Sequence, residues 1–127
     1  GYIELARQEG GTVLTGGKQV TLPGRCANGY FVEPTVIVGL NQQCRTNQEE
    51  IFGPVVTIMP FDSEADAVAF ANSTAYGLAA TVWTENVKRA HRVAAYLKSG
   101  IVWINCWLLR DLRTPFGGVK QSGVGRE

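Results

Sequence analysis

The sequence predicts an α/β fold, mainly parallel sheet with flanking helices. Three observations carry that reading. Short apolar runs suited to strands buried on both faces occur at Val55–Met59, Ala79–Trp83 and Ile101–Ile104. Segments with helical spacing of apolar residues lie between them, over about 64–72 and 87–97. The connections are short, so the order β-α-β-α-β from Val55 onward points to parallel strands joined by right-handed crossovers.

The elements follow in order. Tyr2 to Gly10 reads as the end of a helix closed by Gly10-Gly11. Thr12-Val13-Leu14-Thr15 is a short strand turned by Gly16-Gly17, and Lys18 to Asn28, with Pro23-Gly24 inside it, is an exposed excursion or hairpin. Gly29 to Val38 is strand-like, but Pro34 cannot donate to a ladder, so the segment is either an edge or a strand with a break. Asn41 to Gln48 reads as polar connecting chain. Ser63 followed by Asp66 has the spacing of a capping box, and the helix it opens presents Ala65, Val68 and Ala69 on one face. Thr84 or Asn86 caps the next helix, where Val87, Ala90, Ala94 and Leu97 share a face and Gly100 is the expected stop.

Composition narrows the function classes. Of 127 residues, 45% are hydrophobic and 18% charged, which suits a globular domain. A net charge of +1 with scattered Lys and Arg gives no electrostatic case for nucleic acid or an anionic membrane. No apolar run approaches the ~20 residues that span a bilayer. Three cysteines without disulfide-like spacing favour reduced thiols and a cytoplasmic setting. With one histidine and no Cys-x-x-Cys, no metal ligands are assigned. Gly117-Gly118 and Gly123-x-Gly125 lack the strand and helix context of a phosphate cradle and read as tight turns.

The last quarter carries the most information. Beyond the strand Ile101–Ile104 comes a loop holding Trp107, Leu108, Leu109, Arg110, Asp111 and Arg113, too apolar for a solvent connector. In open α/β sheets, ligands bind beyond the carboxyl ends of strands, where such a loop lies. Asn105, the run Pro115-Phe116-Gly117-Gly118 with Lys120, and Ser122-Gly123-x-Gly125-Arg126-Glu127 closely resemble the C-terminal signature of the NAD(P)-dependent aldehyde dehydrogenase superfamily. Gly29-Tyr30-Phe31 with Pro34-Thr35-Val36, and Glu49-Glu50-Ile51-Phe52-Gly53-Pro54, are similar to the same family. The string from Asn105 to Phe116 looks most like the branch acting on 2-hydroxymuconate and 2-aminomuconate semialdehydes.

That resemblance implies a domain assignment and roles. Residues 1–127 are expected to be the C-terminal portion of an aldehyde dehydrogenase catalytic domain, without the cofactor domain and the nucleophile segment. In the family a thiolate adds to the aldehyde, hydride leaves to NAD(P)⁺ and water releases the acid; NAD is the cofactor expected, with NADP open. Glu50 is expected to accept hydrogen bonds from the nicotinamide-ribose hydroxyls and Phe52 to lay its ring against the nicotinamide; the plainer reading is a surface acid beside a core aromatic. Substrates of the suspected branch carry a carboxylate distant from the aldehyde, which a guanidinium can grip through two parallel bonds. Arg110 is the first candidate and Arg113 the second, against two solvated cations flanking Asp111. Phe116 is expected as a pocket wall, while Trp107 is either wall or core. The family's nucleophilic cysteine lies in a motif not matched here, and nothing pairs Cys106 with a base, so no catalytic residue is assigned. Cys26, Cys44 and Cys106 read as structural thiols and His91 as a helix-surface or satisfied residue. The isolated chain is expected to be inactive. Its expected partners are a small aldehyde, the remainder of the parent enzyme and further copies in a homo-oligomer. The alternative is a non-catalytic truncated or interaction domain that keeps the scaffold.

Overall fold

The opening helix α1, Tyr2–Gln8, ends as its glycines predict. Gly10 takes φ +91°, its N–H donates to the Arg7 carbonyl and the Gly11 N–H to that of Ala6, the paired bonds of a Schellman motif. The computed structural model describes residues 1–127 in two units, Gly1–Pro60 and Phe61–Glu127, each taken by itself below.

In the first unit, β1 (Thr12–Thr15) is antiparallel to β4 (Thr35–Val38), and β4 is parallel to β5 (Val55–Ile58). The order β1-β4-β5 makes β4 the central strand. Of the two readings of Pro34, the break is therefore the one observed: a short hairpin of β2 (Gln19–Val20) and β3 (Phe31–Val32) precedes Pro34, and the ladder resumes at Thr35, whose N–H donates to the Pro54 carbonyl. Ala6, Ile37 and Leu40 form the core, with Val13, Cys44 and Val55 packed on it. The other sheet face is open: Leu14, Val56 and Ile58 are all more than half exposed.

Arg45–Gln48, read as connecting chain, is instead a one-turn helix, α2. Four polar residues carry no periodicity. The turn is held from outside, because the Glu9 carboxylate accepts from the backbone N–H groups of Arg45 (2.8 Å) and Thr46 (3.2 Å) and from the Thr46 hydroxyl (2.6 Å).

The second unit opens with α3, Glu64–Asn72, behind the capping box expected at Ser63. The Ser63 hydroxyl accepts from the Asp66 N–H at 3.1 Å, and the Asp66 carboxylate accepts from the Ser63 N–H at 3.0 Å. Its expected face is not the buried one: Val68 is half-buried, but Ala65 and Ala69 are exposed. An alanine-rich helix has too little amphipathic contrast to fix its rotation. Glu64 instead ties it to α4 (Val87–Tyr96) through Arg92, with Nε and Nη2 at 2.6 and 2.7 Å.

Asn86 caps α4, where Ala90 is buried and Val87 is 67% exposed. Gly100 does not stop this helix. The chain extends at Leu97, and the Asn72 side-chain amide closes the end, donating to the Tyr96 carbonyl (2.8 Å) and accepting from the Lys98 N–H (2.7 Å). Gly100 is needed for another reason: a Cβ there would lie 1.7 Å from the Gly117 carbonyl oxygen.

The parallel pair is β7 (Ala79–Val82) with β8 (Ile101–Ile104), in register from Ala79 opposite Ile101 to Val82 opposite Ile104. Next to it, β6 (Tyr76–Gly77) pairs antiparallel with β9 (Val119–Lys120). No helix is long and apolar enough to cross a membrane.

Candidate active-site elements

The loop after β8 starts from a fixed point. Asn105 sits at φ +52°, a conformation asparagine tolerates, and its N–H continues the ladder to the Val82 carbonyl. Its amide grips the backbone of Thr84 twice, accepting from the N–H and donating to the carbonyl, both at 2.9 Å. The carboxyl ends of the two parallel strands are thereby clamped side by side.

Between β8 and this loop lies a cleft of about 470 Å³ lined by Ile101, Val102, Trp103, Leu109, Arg110, Asp111, Thr114 and Phe116. Trp103 is buried and donates its indole N–H to the Leu109 carbonyl at 2.8 Å. Arg110 lays its guanidinium over the Phe116 ring, 4.7 Å from the centroid. It forms no ion pair with any acid of the chain. Arg113 differs. Its guanidinium is engaged with the Asp111 carboxylate, which also accepts from the Arg113 N–H at 2.9 Å. That pairing holds the Asp111 carboxyl below its usual range and raises the Arg113 guanidinium. Arg113 is absent from the cleft lining, and so is Trp107, whose ring meets Trp103 edge-on at 5.2 Å.

The rest of the signature string fastens this loop, as the tight turns at its glycines imply, and its polar side chains take part in a way the sequence did not indicate. The backbones of Phe116 and Glu127 exchange N–H···O bonds of 2.8 and 2.9 Å. Arg126 donates to the Gly100 carbonyl (2.9 Å), Ser122 accepts from the Gly77 N–H (2.9 Å), and the Lys120 ammonium donates to the carbonyls of Asn72 and Thr74. A Cβ on Gly117 would fall 2.5 Å from the Gly125 carbonyl oxygen, so these glycines serve close backbone packing.

In the first unit, the Glu49-Glu50 doublet divides. Glu49 is fully engaged: Arg45 donates through Nε (2.6 Å) and Nη2 (3.0 Å), and the Tyr2 hydroxyl donates at 2.7 Å. Chiefly through Arg45, and then Tyr2, its carboxyl is held down at about 2. Glu50 is exposed and takes part in no ion pair. Two residues on, Phe52 is 91% exposed and held at φ +53°, an unusual conformation for a bulky residue. Phe52 borders a cleft of about 460 Å³ that Tyr2, Arg7, Gly17, Lys18 and Val55 also line. The carboxylate and the ring are thus both presented outward, as a ligand contact requires. All three cysteines are free thiols and His91 is on the exposed surface of α4.

Comparison with known proteins decides the family: the aldehyde dehydrogenase family model matches residues 1–127. The chain belongs to the aldehyde dehydrogenase family. It is 56% identical over 126 residues to a 2-aminomuconic 6-semialdehyde dehydrogenase of Pseudomonas sp, covering 99% of this chain and 26% of that protein. It is 51% identical over 128 residues to the 2-aminomuconic semialdehyde dehydrogenase of Homo sapiens, with the same coverages of 99% and 26%. Among solved structures, an indole-3-acetaldehyde dehydrogenase of P. syringae in complex with NAD⁺ and IAA matches with a TM-score of 0.92 and 45% identity, over 99% of this chain and 25% of that one. The NAD⁺ complex of a Bacillus cereus aldehyde dehydrogenase matches at 0.90 and 50%, over 98% and 24%. The chain thus spans about a quarter of the length of the relatives it matches, and the α/β architecture is that of this family.

Proposed function

We propose that these residues form the C-terminal part of the catalytic domain of an NAD-dependent dehydrogenase that oxidises a carboxylate-bearing semialdehyde of the muconate type to the acid. The observation that carries the substrate class is the difference between the two arginines of one loop. Arg113 is committed to Asp111, whereas Arg110 lines the cleft with its guanidinium stacked on Phe116 and unpaired with any acid. A planar cation held on an aromatic face keeps its edge donors for a planar anion. The relatives named for muconic semialdehydes support the same class.

In this reading Arg110 grips the distant carboxylate, Phe116 walls the cleft beside it, and Trp107 and Arg113 support the loop. Glu50 accepts from the two hydroxyls of the nicotinamide ribose and Phe52 packs against the nicotinamide. The exposure of both side chains fits such a group, and the NAD⁺ complexes among the related structures support its identity. Bound NAD⁺ would supply the hydride acceptor. The nucleophile belongs to the rest of the parent enzyme, which we take to be a homo-oligomer and which would also cover the open sheet face at Val56 and Ile58. The test is Arg110→Gln in the full-length dehydrogenase, which weakens binding of the semialdehyde and leaves that of NAD unchanged. Equal loss of both would refute the assignment.

A further inference from the structure

We propose that Trp103 is a positioning residue for the substrate carboxylate, acting through the hydrogen bond from its indole N–H to the Leu109 carbonyl; this rests on the reading of Arg110 above. The Leu109 carbonyl belongs to the peptide unit that joins Leu109 to Arg110. Because that unit is planar, fixing its oxygen fixes the direction in which the Arg110 backbone leaves it. The bond is 2.8 Å long, and its donor belongs to a residue only 8% exposed, rooted in the clamped parallel pair of β7 and β8. It therefore ties a loop to a rigid strand.

Little else in that part of the loop could do so. Leu108 and Leu109 are 64% and 75% exposed, so their burial does not anchor it. Leu108 is held at φ +57°, a strained conformation for a residue of this kind, which persists only where the surroundings impose it. Trp107 leans its ring on the same indole. Trp107 and Leu109, on either side of Leu108, thus both lean on Trp103, while the guanidinium at the far end rests on Phe116. Arg110 is held at both ends, and Trp103 controls the backbone end.

The experiment compares kinetics of the full-length dehydrogenase and its Trp103→Phe variant on two aldehydes of matched length, one with a distal carboxylate and one without. Losing the donor and leaving the Leu109 carbonyl unpaired is expected to raise KM for the carboxylate-bearing aldehyde ~10-fold. KM for the uncharged aldehyde is expected to rise by a clearly smaller factor, so that the ratio between the two aldehydes falls, and KM for NAD to stay within about twofold. In an Arg110→Gln background, Trp103→Phe should add less than about twofold, since the residue it positions is gone. Equal loss on both aldehydes, no loss on either, or full additivity with Arg110→Gln overturns the proposal. If Trp103→Phe does not fold, benzothienylalanine at position 103, which keeps the ring shape but lacks the N–H, decides on the same criteria. If Arg110→Gln alone leaves the ratio between the two aldehydes unchanged, the Arg110 reading fails, and the Trp103 proposal is overturned with it.

Discussion

Gly100→Ala should disable the proposed substrate loop without touching any residue proposed to meet substrate. The added Cβ would stand 1.7 Å from the Gly117 carbonyl oxygen, 2.8 Å from the Gly117 carbonyl carbon and 3.1 Å from the Leu78 carbonyl oxygen. All three are backbone atoms, so no side chain can rotate away. A tolerable C···O contact is about 3.3 Å, so the two backbones must separate by roughly 1.6 Å. Gly117 follows Phe116 directly, and the displacement passes to the ring on which Arg110 rests. Overpacking of this kind costs about 1–3 kcal/mol in stability. A misplacement near 1 Å at a positioning group can cost ~10²-fold in rate, so kcat/KM for a carboxylate-bearing aldehyde should fall by that order. Gly123→Ala is the control, because a Cβ there meets Gly118 only at 3.8 and 3.9 Å. Thermal unfolding and steady-state kinetics on the full-length enzyme read both effects. A Gly100→Ala enzyme with unchanged melting temperature and unchanged kcat/KM would show that the two segments do not cross as described.

Two further outcomes follow from the first unit. Glu49, whose carboxyl lies at about 2 against an ordinary value of 4.5, stabilises the fold fully above pH 4.5, and this contribution is lost as pH falls through about 2. In a ¹³C carboxyl titration, Arg45→Gln should move the Glu49 midpoint upward further than Tyr2→Phe does; an unmoved midpoint in both variants would contradict the network. Glu50→Gln exchanges a charged acceptor for a neutral one, and the full-length enzyme's KM for NAD should rise ~10-fold while its KM for aldehyde holds. An unchanged KM for NAD would remove Glu50 from the cofactor contact.

What the sequence made legible was local. The strands at Val55 and Ile101 announced themselves as apolar runs, and Ser63 with Asp66 formed its capping box within one turn. What it hid depended on distant partners. The turn at Arg45–Gln48 exists because Glu9, 36 positions earlier, caps it, and α4 ends where Asn72, 24 positions earlier, meets Tyr96. Gly100 looked like a helix stop because glycines often are; its constraint comes from Gly117, which no local pattern reveals.

The candidate site divides in the same way. The motif letters pointed to Glu50 rather than Glu49 and to Arg110 ahead of Arg113, but they did not show what the neighbouring Glu49 and Arg113 are bound to. The structure adds the partners: Tyr2 reaches Glu49 across 47 positions, and Asp111, adjacent to Arg110 and two residues from Arg113, turns to Arg113. The fastening roles of Lys120, Ser122 and Arg126 were likewise invisible, since their partners are backbone carbonyls and an N–H on other elements.

The most direct test of the central claim is the ratio of kcat/KM for a muconate-type semialdehyde to that for an uncharged aldehyde of matched length. It is measured by reduction of NAD with the full-length dehydrogenase and its Arg110→Gln variant. The account predicts that the wild-type enzyme favours the semialdehyde, and that Arg110→Gln lowers the ratio by about 10- to 100-fold, the worth of a charge-assisted hydrogen bond to a carboxylate. A ratio unaffected by Arg110→Gln, or a wild-type enzyme that does not distinguish the two aldehydes, would contradict it.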